Sequence, residues 1–330
     1  MHVLFVERHG LEETEVPTDL GQTGADLVVL SFSDSDLGAF AEGWKRGFEL
    51  QGDQFPTLRL ANLSALKHPV SVDTYLENTL SKSKGVLIRL IGGVPYWSYG
   101  LQEVIKLAKK NKIACAVLPA DGREDIQLDE FSTLPTSTLR QLKEFCDTGG
   151  AVAAHAALAQ LALAAGLCVS PVRGTKTLDK YGAWTPEQQV CSVSQAVKSI
   201  NFNKPLIVLT FYRSFITAAD LKPITALFDA LRLRGFSVVG LFSPSLKIPD
   251  AADWIISQIK YFKPVCIVNA TSFSGKGSSG ESPLDAGGVP VFQVALSTSK
   301  RSAWIEADRG LSPADICLLY TSDAADDGYR

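Results

Sequence analysis

The chain has 330 residues, 46% of them apolar, and a formal net charge of −3. Such a chain buries a substantial core, which excludes an intrinsically disordered protein. Near-neutral charge without a basic stripe excludes non-specific binding of nucleic acid, which needs clustered Lys and Arg to displace counterions.

The start, MHVLFVERHG, has an apolar run broken at once by Glu7 and Arg8, so it reads as no signal peptide. The six cysteines stand at 115, 146, 168, 191, 266 and 317, with no CxxC pair. Their spacing suits neither a disulfide frame nor a zinc knuckle, and a reducing cytoplasm is the expected compartment.

In chain order, LVVLS (Leu27 to Ser31) reads as a buried strand, followed by the helical pattern DSDLGAFAEGWKRGF behind candidate N-caps. TLRLAN (Thr57 to Asn62) is a second strand. SVDTYLENTLSKS follows as a helix with Ser71 or Asp73 at its start. GVLIRLIGG (Gly85 to Gly93) is a third strand running into a glycine turn. LQEVIKLAKKNK is an amphipathic helix whose basic C-terminal end suits the helix dipole, and IACAVLPA is a fourth strand. The Ala-rich run Ala151 to Leu167 carries His155 and Gln160 and is too short for a membrane span, so it reads as a buried helix.

After a Lys-, Thr-, Gly- and Pro-rich stretch from Ser170 to Pro205, the pattern resumes. PLIVLTF, PITALFDALRLRG, FSVVGLF, AADWIISQIKYF and PVCIVNA give strand, helix, strand, helix, strand, with Gly235 placed to stop a helix. Alternation of this kind builds βαβ units with parallel strands. The expected architecture is α/β, with two consecutive open parallel-sheet units of Rossmann or flavodoxin-like type and flanking helices. The domains run 1–170 and 206–315 around a connection at 171–205.

Ligands of open α/β sheets bind beyond the carboxyl ends of the strands. Two such ends are rich in polar and aromatic groups. The first offers Arg59, Asn62, Lys67, His68 and Asp73; the alternative reading is a capped loop with a satisfied histidine. The second, RLIGGVPYWSYG, offers Arg89 for a carboxylate, Gly92 and Gly93 for close backbone approach, and Tyr96, Trp97 and Tyr99 as flat surfaces with polar tips. These suit a broad, flat, acidic ligand; the alternative is an aromatic plug over the sheet. Arg213 in FYRS is a further anion contact. NATSFSGKGSSG fails as a phosphate loop, because Ala270 replaces the first Gly and Gly277 replaces the Ser or Thr after Lys276. The histidines are 2, 9, 68 and 155 alone, and no HExxH, GxSxG or GxGxxG occurs where chemistry would need it. The chain therefore reads as having no metal site and no self-sufficient catalytic constellation.

Four stretches carry a family resemblance: DLGQTGADLVVLSFSDSDL, LRLANLSALKHPVSVDTYLENT, RLIGGVPYWSYGL and NATSFSGKG…PLDAGGVPVFQVALSTSKRSAWIEADRGLSPAD. The chain resembles the N-terminal region of the cobaltochelatase large subunit, a relative of the magnesium chelatase large subunit, from Met1 to about Asp315. The resemblance implies a subunit that binds a tetrapyrrole, hydrogenobyrinic acid a,c-diamide, and Co2+. Two smaller ATPase subunits form a ring and drive insertion, so ATP is bound in trans and this piece carries no cofactor of its own. It also implies that the piece is short of the region performing insertion. The tail from Ile316 to Arg330 does not continue the pattern and is expected to be foreign and to pack on nothing. Within this reading His68, Arg89, Tyr96, Trp97, Arg59 and Arg213 are the expected substrate contacts. Arg89 would meet a propionate or acetate, Tyr96 and Trp97 would wall the macrocycle, and His68 would make a polar contact. Two rivals stand beside it: a structural or docking domain whose aromatic loops are packing, and a magnesium chelatase subunit acting on protoporphyrin.

Overall fold

The computed structural model describes residues 16–120, 125–172, 178–271, 275–276, 281–297 and 301–308. The chain divides into two compact units, Met1–Leu178 with Thr217–Asp220, and Asp179–Ile216 with Leu221–Arg330. The tail 316–330 lies outside the described residues.

In the first unit the elements follow one another as β1 (Leu27–Ser31), α1 (Asp34–Gln51), β2 (Leu58–Asn62), α2 (Pro69–Asn78), β3 (Gly85–Leu90), α3 (Ser98–Asn111), β4 (Ala114–Pro119), α4 (Thr136–Thr148) and α5 (Gly150–Ala164). The four strands form one parallel sheet in the order β2-β1-β3-β4. Strand β1 lies inside the sheet and all five of its residues are buried. Its side chains alternate, as a pleated strand demands. Val28 and Leu30 join the core under α2 and α3, while Leu27 and Val29 join the core under α1, α4 and α5. Each such side chain contributes about 1.5–3 kcal/mol by leaving water. Helix α1 starts where the Ser33 side chain accepts from the Asp36 N–H at 3.3 Å. The Ala-rich helix α5 is largely buried, and no helix of the described residues is long and apolar enough to cross a membrane.

The second unit begins earlier than its strongest strands. The stretch expected as a connection contributes β5 (Gly182–Thr185), β6 (Gln189–Cys191) and α6 (Val193–Lys198). There follow β7 (Leu206–Tyr212), α7 (Arg213–Thr217), α8 (Lys222–Leu233), β8 (Ser237–Ser243), α9 (Pro249–Phe262), β9 (Cys266–Asn269) and β10 (Val291–Gln293). The sheet order is β10-β9-β7-β8-β5-β6. Its first four strands are parallel, but β5 runs antiparallel to both β8 and β6, so the sheet is mixed at that edge. The reason is packing. Trp184 of β5 is fully buried and makes edge-on contacts with Phe211 and Phe228, which draws the 182–191 hairpin onto the sheet. Gly235, at φ 92°, stands just past the end of α8, as its position in the sequence predicts.

Candidate functional site

In the first sheet the chain runs from β1 to β2 on one side and returns to β3 on the other. The crevice for a ligand in such a sheet lies at this reversal, at the carboxyl ends of β1 and β3. Ser31 and Arg89 are register partners there.

Arg89 is 4% exposed and already engaged. Its Nε stands 3.4 Å from Asp36 Oδ2, and one terminal nitrogen stands 3.4 Å from Asp147 Oδ1. Asp36 in turn accepts from the Ser31 hydroxyl at 2.9 Å, and Asp147 is paired with Lys143 at 2.6 Å. Burial works against charge on Arg89, yet Cys146, Asp36 and Asp147 outweigh it and its pKa is raised. Burial also pushes the neighbouring Cys146 thiol up to about 11, which makes it a poor nucleophile. Arg89 is thus an internal cation paired with two carboxylates. The expectation that it reaches a substrate carboxylate does not fit this geometry.

The loops after β2 and β3 are stitched together. Trp97 is 5% exposed, and its indole N–H donates to Leu66 O at 2.7 Å. The ring fills the space a side chain at Gly100 would take. Trp97 is therefore packing, not a wall facing a ligand. Tyr99 OH donates to Asp73 Oδ1 at 2.9 Å, joining α3 to α2. His68 caps α2: its Nδ1 accepts from the Val70 N–H at 3.1 Å. The helix starts there, and not at Ser71 or Asp73, because Pro69 fits the first turn. The Ser71 hydroxyl accepts instead from the Thr18 N–H at 2.7 Å.

Tyr96 behaves differently. Gly92 and Gly93 take φ values of 82° and 77°, a left-handed turn that returns Tyr96 onto the α-carbon of Gly92. The ring is braced there and the residue remains 66% exposed. Val70 and Tyr99 are also exposed on these stitched loops. The loops beyond the carboxyl ends of β2 and β3 thus carry exposed apolar and aromatic side chains, the ledge of this sheet.

Arg59 lies in β2, three residues before its end. It donates from Nε to Thr23 O at 3.1 Å and from a terminal nitrogen to Thr23 Oγ1 at 2.9 Å, tying the 16–25 segment to the sheet edge. Arg213 belongs to the second unit, where its Nε donates to Asp179 O at 3.0 Å. Of the six expected contacts, Tyr96 and the half-buried His68 lie on these two loops with surface open to solvent, while Arg89 and Trp97 are buried. Among the described residues no group of three or more His, Cys, Asp or Glu is placed to hold a metal ion.

Sequence reasoning missed the polar clip at the corresponding reversal of the second sheet. Thr210 Oγ1 and Thr271 Oγ1 both donate to Asn269 Oδ1, at 2.7 and 2.9 Å, and Asn269 Nδ2 donates to Gln293 Oε1 at 2.8 Å. The signal was an Asn inside the apolar run PVCIVNA, a polar group at a strand end that needs a buried partner.

The chain is thus built of two α/β units with parallel strands at their centres, and the comparisons place it within a family. The model of the CobN/Magnesium Chelatase family matches residues 144–322, so the chain belongs to that family. That match runs past Asp315, where the family pattern was expected to stop. The chain is 31% identical over 329 residues to the aerobic cobaltochelatase subunit CobN of Sinorhizobium sp, covering 96% of this chain and 25% of the relative. It is 28% identical over 324 residues to the CobN subunit of Pseudomonas aeruginosa, with the same coverage of 96% and 25%. The chain thus spans about a quarter of the length of these curated relatives. The structure of the catalytic subunit of cobaltochelatase from Mycobacterium tuberculosis matches with a TM-score of 0.67 at 20% identity, over 90% of this chain and 23% of that one. This last likeness speaks to the fold.

Proposed function

We propose that this chain is the N-terminal part of the tetrapyrrole-binding subunit of an ATP-dependent cobaltochelatase, the enzyme that inserts Co2+ into hydrogenobyrinic acid a,c-diamide during cobalamin biosynthesis. Beside family membership, the observation that supports it is the Tyr96 ring, braced on Gly92 and held open to solvent at a sheet reversal. An exposed ring costs apolar surface, and fixing it in advance removes the entropy cost of stacking on a flat ligand. In this reading Tyr96 walls one face of the macrocycle and His68 supplies a polar contact. Arg89 holds the loops in place from behind. Cobalt is substrate. ATP is bound and hydrolysed by separate ring-forming subunits, insertion belongs to parts of the enzyme outside this chain, and the chain alone binds without inserting metal.

The second reading is a scaffold domain of the same subunit. Buried Trp97 and the buried, ion-paired Arg89 favour it, since both serve the interior. A magnesium chelatase subunit acting on protoporphyrin IX is the third; the names of the two curated relatives favour cobalt. Titration with hydrogenobyrinic acid a,c-diamide and with protoporphyrin IX, followed by tryptophan fluorescence, separates the three. Saturable binding of the corrinoid precursor alone supports the first reading. Binding of neither supports the scaffold, and preference for protoporphyrin supports the third.

A further inference from the structure

The amino end of the first sheet has a different character from its ledge. Lys82 and Lys84 precede β3, and Lys109, Lys110 and Lys112 close α3 and precede β4. No stripe is visible in the sequence, because the lysines come from two segments some 25 residues apart. The fold brings the segments together. Asn111 Nδ2 donates to Ser81 O at 3.4 Å, Ala114 N–H donates to Lys84 O at 2.9 Å, and Gly85 and Ala114 are register partners. All five lysines are exposed. Lys84 is paired with Asp26 at 3.5 Å; the other four have no carboxylate within ion-pair distance among the described residues.

We infer that this lysine end is an electrostatic docking surface for an acidic face of a partner protein. The inference rests on the reading of the chain as one subunit of an ATPase-driven complex, and it deepens that reading by placing the partner on the end opposite the ledge. A chain of net charge −3 that gathers four unpaired lysines at one end presents a dipolar surface, which steers an oppositely charged partner at long range. The composition selects the partner. Segments 80–84 and 106–114 contain no arginine and no exposed aromatic, the groups that grip phosphate and stack on bases. They expose no large apolar side chain that would enter a bilayer. Lysine ammonium groups are mobile point charges, suited to a contact that forms and releases during a cycle.

The test measures association of the intact chain with the ATP-loaded ATPase subunits of the complex at low and physiological salt. Lys109→Glu with Lys110→Glu is compared with Lys260→Glu with Lys263→Glu, an equal charge change at the C-terminal end of α9 in the second unit. The expected result is a loss of about tenfold or more for the α3 pair, less than twofold for the α9 pair, and weakening with salt. Equal effects from both pairs, no association at all, or tighter binding to duplex DNA or phosphatidylserine vesicles would overturn the inference. A chain that still binds the macrocycle while the charge reversal changes nothing sinks the docking surface alone and leaves the substrate reading standing.

Discussion

The ring of Tyr96 lies against the α-carbon of Gly92, so closely that any side chain at position 92 would occupy the same space. The contact explains why a glycine pair precedes VPYW: one residue must turn left-handed and also leave room for the ring. Gly92→Ala adds strain of about 1–2 kcal/mol from its φ of 82° and drives the ring off its seat. Thermal unfolding should show a modest loss of stability, and macrocycle affinity should fall as far as it does in Tyr96→Ala. Wild-type affinity in Gly92→Ala would mean that the braced ring is not what the ligand meets.

Arg89 predicts a stability effect. Its removal leaves Asp36 without its cation and Asp147 with Lys143 alone. Loss of one partner of a buried pair costs about 3–5 kcal/mol, reduced here because both carboxylates are partly exposed, so Arg89→Ala should destabilise by about 2–3 kcal/mol in urea unfolding. Arg89→Lys should restore little, since one ammonium cannot span both acids. Arg59→Ala, whose side chain tethers an exposed segment, should cost under about 1 kcal/mol. Equal costs for the two arginines would contradict the assignment.

The acid limb of stability should report His155. It is 3% exposed in α5, its Nε2 has no hydrogen-bond partner among the described residues, and Phe55 packs against it edge-on. Burial, helped by Arg46, holds its pKa below the ordinary 6.5. A depressed folded-state pKa means the unfolded chain takes up the proton first. The stability this group contributes is therefore present above pH 6.5 and is lost as pH falls from 6.5 through the folded value. His155→Gln should flatten that part of the curve of unfolding free energy against pH; an unchanged slope would place the acid sensitivity elsewhere.

The second sheet offers an independent prediction. Asn269 accepts from two hydroxyls and donates to Gln293. Asn269→Ala strands these groups, at about 1–3 kcal/mol for a buried unsatisfied partner. The edge strand β10, joined by three residue pairs, should lose hydrogen-exchange protection before β8 does. Uniform loss across the sheet would argue that the clip stabilises the whole unit.

The strands that alternate apolar residues with helices were legible in the sequence: LVVLS is β1 residue for residue, and Gly235 marks the end of α8. The edge hairpin of the second unit was not. Its strands of four and three residues are too short for a periodic signal, and β8, the partner that holds β5 to the sheet, lies more than 50 residues on. The site divided in the same way. A strand-end aromatic cluster was visible at Arg89 to Gly100, but which ring faces water depends on the Leu66 carbonyl and on two glycines that receive the rings. Arg89 looked free because Asp147 stands 58 residues away, beyond any local pattern.

The sharpest test of the central claim compares two aromatic variants in the corrinoid titration. Tyr96→Ala removes the exposed ring and leaves the fold nearly unchanged, while Trp97→Phe removes the indole bond to Leu66 O and costs stability of about 1–2 kcal/mol. The account predicts that Tyr96→Ala loses affinity for hydrogenobyrinic acid a,c-diamide by about tenfold, the value of a desolvated stacking contact, while Trp97→Phe stays within about twofold of wild type. Undiminished affinity in Tyr96→Ala, with a loss confined to Trp97→Phe, would contradict it and return the ledge to a packing role.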